Sequence, residues 1–70
     1  MAENCLIVRA FGGVLDQLRS EASRIAKGGH ADWWVERTDK GICFCFENAE
    51  AKNAFVSICE NLGVQHHDQI

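Results

Sequence analysis

At 70 residues, with a net charge of −3 and a pI near 5.4, the chain is one small acidic domain. That balance argues against a duplex-DNA binder, which needs a basic footprint. A composition of 47% hydrophobic and 24% charged residues without proline excludes disorder as the starting expectation, and so short a chain buries a core that a second copy or a ligand would help to stabilise.

Asn4 to Phe11, "NCLIVRAF", is short and rich in apolar and β-branched residues, which predicts a strand. Gly12-Gly13 breaks it. Val14, Leu15, Leu18, Ala22, Ile25 and Ala26 then recur at helical spacing and predict a helix over 14–27. Asp16 is expected in its first turn and Arg24 and Lys27 in its last, matching the helix dipole. Gly28-Gly29 is expected to stop it, with one glycine left-handed.

A second strand is expected over 31–37. "TDKG" follows as a hairpin signal, with Gly41 at a positive φ in a short bulged loop. "ICFCF" is the returning strand, 41–46. Asn48 is a good N-cap for a helix over 48–62, whose stripe is Ala51, Phe55, Ile58, Cys59 and Leu62. Gly63 ends it, and "VQHHDQI" adds a short last strand.

The order β-α-β-β-α-β with right-handed crossovers gives a ferredoxin-like α+β sandwich over residues 1–70: a four-stranded antiparallel sheet, order 4-1-3-2, with two helices on one face. Alternation along each strand assigns the faces. Leu6, Val8, Ala10, Trp33, Val35, Ile42, Phe44 and Phe46 suit the helix side. The open face then receives Cys5, Ile7, Phe11, Trp34, Cys43 and Cys45, ringed by Arg9, Asp32 and Glu36. Such an apolar centre with a polar rim has the composition of an interface.

The four cysteines carry most of the chemistry. Cys5, Cys43 and Cys45, with His66 or His67, offer thiolate and imidazole donors for zinc or copper. Strong zinc signatures, however, pair cysteines on turns two to four residues apart, and a lone Cys-x-Cys in a strand is weak. Cys43 and Cys45 lie two apart on one strand, unsuited to a relaxed disulfide. No membrane span or signal peptide is legible. The expectation is a cytoplasmic chain with reduced cysteines used as small hydrophobes, no metal and no cofactor. Catalysis would need an activated thiolate beside a positioned histidine, and His66 and His67 are expected in a fraying tail, so no enzyme is expected.

Gly12-Gly13 at a helix start can hold an anion on backbone N–H groups, or only permit a tight turn. "FGGVLDQL" and "ENLGV" resemble an ACT domain, a regulatory module of the same topology. Gly13, Val14 and Leu15 fit its glycine and branched apolar pair, while Arg9 or Ala10 stands where that family often has Asp-x-x-Gly. The resemblance implies sensing of an amino acid or other small anion near Arg9, Gly12 and Gly13. "KGICFCFEN" resembles the third strand of an RNA recognition motif, which implies base stacking on exposed rings. Here those positions are Cys43 and Cys45, and the first strand lacks the paired ring, so RNA is not the expected partner.

The leading expectation is a non-enzymatic interaction module that associates through its sheet, most simply as a homodimer, with Phe11, Trp34, Cys43 and Cys45 at the contact. An ACT-like small-anion sensor is the alternative, and a thiol-based metal carrier the third.

Overall fold

A computed structural model describes residues 4–68. The elements are β1 (Cys5–Arg9), α1 (Gly12–Gly28), β2 (Trp33–Thr38), β3 (Gly41–Phe46), α2 (Ala49–Leu62) and β4 (Gln65–Asp68). The sheet runs β2-β3-β1-β4 with every neighbouring pair antiparallel. This is the ferredoxin-like α+β fold, with the strand order expected from the sequence. No helix among the described residues is long and apolar enough to cross a membrane.

The core lies between sheet and helices, where Leu6, Val8, Phe44 and Phe46 meet Leu18, Ala22, Phe55 and Cys59. Phe44 is its centre. Its ring stacks on Trp33 at 6.3 Å between centroids and tilts against Phe55 at 4.8 Å. Aromatic pairs at such separations add to the burial of their large apolar area. Val14 and Leu62, expected in the helix stripes, are instead 44% and 40% exposed. They sit near the start of α1 and at the end of α2.

Both helix boundaries in α1 differ from the expectation. The helix starts at Gly12, so the two glycines lie inside its first turn and Asp16 lies beyond it. Lys27 alone supplies the basic charge of the last turn, and Arg24 pairs with Glu21 one turn back. Neither Gly28 nor Gly29 is left-handed. His30 takes that conformation at φ 54°. Its N–H donates to Lys27 O at 3.3 Å and the Ala31 N–H donates to Ala26 O at 2.8 Å. These are the two bonds of a Schellman stop, with histidine where glycine is usual. Helix α2 ends the same way at Gly63, φ 71°, with Val64 N–H donating to Cys59 O at 2.9 Å. At its start, the Asn48 side chain accepts from Ala51 N–H at 2.8 Å, as its residue type suggests.

The hairpin between β2 and β3 pairs Thr38 with Gly41 across Asp39 and Lys40, so no bulge residue intervenes. Gly41 has φ 146°, and a Cβ built there would lie 2.5 Å from Val8 O on β1. Two constraints therefore meet at this position, the backbone angle and the close approach of the neighbouring strand. Gly41→Ala is expected to cost about 2–4 kcal/mol through strain and displacement of β1. Urea denaturation checks it. An unchanged midpoint would mean that β1 and β3 do not approach this closely.

Candidate thiol site

The strand registers bring three cysteines together. Cys5 and Cys45 are direct cross-strand partners, and Cys43 pairs with Ile7 one row along. All lie on the sheet face away from the helices, as alternation predicts. The Phe46 N–H donates to Asn4 O at 2.9 Å, which makes the neighbouring Cys5–Cys45 pair a non-hydrogen-bonded one. Side chains approach most closely at such pairs. Cys5 and Cys45 are joined by a disulfide, with Cα atoms 4.0 Å apart. The Cys43 Sγ lies 3.6 Å from the Cys45 Sγ, and the three sulfurs lie within 4.8 Å of one another.

Two sequence expectations change here. The cysteines are not all reduced, because the bridge forms between strands, not along the Cys43-x-Cys45 step. The face is also not open at its centre. Cys5, Ile7, Cys43 and Cys45 form a second buried cluster, each under 5% exposed. The reason lies in the rows of the sheet. Trp34 stands opposite Cys45, Glu36 opposite Cys43 and His67 opposite Ile7. These longer side chains flank shorter ones on the two central strands. Trp34 Nε1–H donates to Glu36 Oε2 at 3.2 Å along this rim. Trp34 itself remains 43% exposed.

The thiols outside the bridge are poor nucleophiles. Burial pushes the Cys43 thiol above its ordinary value, and the Glu36 carboxylate acts in the same direction. Burial, then Glu60, pushes Cys59 up to about 11. A thiol held protonated at neutral pH attacks slowly. Cys59 sits on α2 in the main core, on the opposite side of the sheet.

The histidines separate. His67 shares the cysteine face, whereas His66 pairs with Val8 on the helix face and its Nδ1 lies 2.9 Å from Val64 O. Both are held in β4 by pairing with β1, not left in a tail. Lys52 of α2 pairs with Asp68 at 2.9 Å, which ties that strand to the helix.

The other predicted site residues gather elsewhere. Phe11 is beyond β1 and caps the start of α1 in an extended conformation, so it is not on the sheet face. It is 85% exposed. With Arg9, Val14 and Leu62 it lines an open groove of about 530 Å³. Gly12 and Gly13 open α1 at this end, with no side-chain cap and no acidic residue in the first turn. The groove offers apolar contact and one exposed guanidinium. Among the described residues no polar side chain is buried, so nothing fixed orients a ligand there as binding pockets usually require.

No protein-family model, curated protein or solved structure matches the chain. The ACT-like and RNA-recognition-like resemblances therefore rest on the quoted residues alone.

Proposed function

We propose that the protein is a small, non-enzymatic, cytoplasmic binding module that works through the cysteine-bearing face of its sheet, with a reversible Cys5–Cys45 bridge setting the state of that face. The observation that supports this is a bonded cysteine pair and a third sulfur at 3.6 Å, in a buried cluster separate from the main core. The backbone does not need the bridge to hold the strands together, since β1 and β3 already pair through four registered residues. Two low-molecular-weight thiols would reduce it to two cysteine thiols and leave as their own disulfide. The separated sulfurs then need more room, and Trp34, an exposed side chain opposite Cys45, is placed to move.

A second copy of the chain is the partner favoured by Trp34, a half-exposed indole on an edge strand beside this face. Most of the apolar centre is already covered within one chain, so such a contact would rest on Trp34 and the rim.

Equilibration of folded protein in graded dithiol buffers, followed by an acid quench, alkylation in denaturant and mass measurement, tests the switch. The expected result is a reversible transition between two and four alkylated thiols, with the circular dichroism spectrum retained at 25 °C and a change in tryptophan emission. A bridge that opens only when the chain unfolds would make it purely structural. Sedimentation equilibrium in both states tests the second copy, and a monomer in both at high concentration removes the homodimer.

A further inference from the structure

We propose that the reduced chain holds one Cu(I) ion on the sulfurs of Cys5, Cys43 and Cys45. This deepens the reading of the cysteine face as a binding site and rests on the bridge being reducible in the folded protein. Its basis is donor geometry. Two of the sulfurs come from directly facing positions on β1 and β3, and the third from the next same-face position on β3. All three lie within 4.8 Å of one another, so a single ion can reach them with small rotamer changes. The strands hold them there independently of the bridge, because the register is set by the backbone ladder.

The donor set selects the metal. Among the described residues the cluster contains sulfur alone, with no carboxylate or imidazole. Soft thiolates without nitrogen or oxygen partners favour Cu(I) over harder divalent ions. A structural zinc site takes four tetrahedral ligands, and this cluster supplies three. His67 shares the face but is across the sheet row, beyond Ile7, and does not belong to the group. Burial keeps water from the site, since each of the three cysteines is at most 1% exposed.

The steps balance. Two low-molecular-weight thiols donate two electrons and two protons to the Cys5–Cys45 bridge and become one disulfide. Cu(I), delivered by a thiol or chelator carrier, then displaces protons from the cysteine sulfurs to solvent without changing its oxidation state. Oxidation of the bridge removes two of the three donors, so the disulfide form is the metal-free form.

The test is anaerobic titration of the reduced protein with Cu(I) in competition with bicinchoninate, read by native mass spectrometry and ultraviolet thiolate-to-copper absorption. Alkylation in denaturant after an acid quench first counts the thiols, and circular dichroism before the quench shows whether the chain is folded. Four thiols on a folded chain establish that the bridge is reducible, and fewer would defeat the switch before copper is added. The expected result is one Cu(I) per chain. Cys43→Ser should weaken binding by about 100-fold or more, as loss of a direct ligand exceeds the effect of a supporting one, and Cys59→Ser should leave it unchanged. A chain that unfolds on reduction defeats the switch and, with it, the assembled copper site. A reduced chain that takes no stoichiometric copper overturns the proposal. So does a Cys43→Ser variant that binds as tightly as wild type, or a copper ion found only between two chains.

Discussion

Loss of the Cys5–Cys45 bridge is expected to lower the unfolding free energy by about 3–4 kcal/mol. The magnitude follows from the sequence separation of 40 residues, since opening a loop of that length restores conformational entropy mainly to the unfolded chain. A domain of this size has only about 4–10 kcal/mol of stability in total. The melting temperature should therefore fall by about 15–25 °C. Scanning calorimetry with and without a dithiol reductant measures this, and a Cys5→Ser/Cys45→Ser double variant separates loss of the bridge from side reactions of the reductant. The prediction fails if four thiols are counted while the melting temperature stays where it was. In that event the reduced and oxidised chains are equally stable, and the bridge serves only to change the surface.

The two adjacent tryptophans should respond unequally to the same substitution. Trp33→Glu is expected to cost about 3–5 kcal/mol, through loss of a large packed ring and the partial burial of a carboxylate against apolar neighbours. Trp33 packs against the main core and stacks on Phe44 with an interplanar angle of 6°. Trp34→Glu is expected to cost under about 1 kcal/mol, because its side chain points to the other face, is half-exposed and donates to the exposed Glu36. Urea denaturation of both variants gives the comparison. A Trp34 variant that unfolds beside a stable Trp33 variant would mean that β2 presents its faces the other way round. It would also move Cys45, its partner on β3, to the helix side.

Most of the architecture is legible in the residues themselves, because the signals are local. Strand alternation at period two separates Phe44 and Phe46 from Cys43 and Cys45 without knowledge of any neighbour. Apolar spacing on both helices, the Asn48 cap and the Gly63 stop are likewise readable within one or two turns. The order of elements then restricts the sheet to very few topologies. Where local signals mislead, the cause is a local competitor. Gly28 and Gly29 both qualify as a helix stop, yet the chain continues to His30 before turning left-handed. The bonds from His30 and Ala31 back to the last helical turn offset the cost of a non-glycine residue there.

The candidate site belongs to the other class. Cys-x-Cys within one strand carries little chemical meaning, and Cys5 is 40 residues from its partner in sequence. The expected strand order already brings the start of β1 near the end of β3, and so Cys5 near Cys45, but only the register makes them direct partners close enough to bond, and a slip of one residue would place them on opposite faces. Burial is equally non-local. The cysteine face is covered because Trp34, Glu36 and His67 happen to stand in the same rows, and no window of sequence contains all three. The groove at Phe11, Val14 and Leu62 arises the same way, from the meeting of the β1–α1 and α2–β4 junctions. The sequence alone determined which side each residue within a strand faces, since that depends on backbone period, but not that β1 ends at Arg9 and leaves Phe11 off the sheet. Tertiary structure decided which of them meet and which stay in water, since those depend on side chains brought from distant segments.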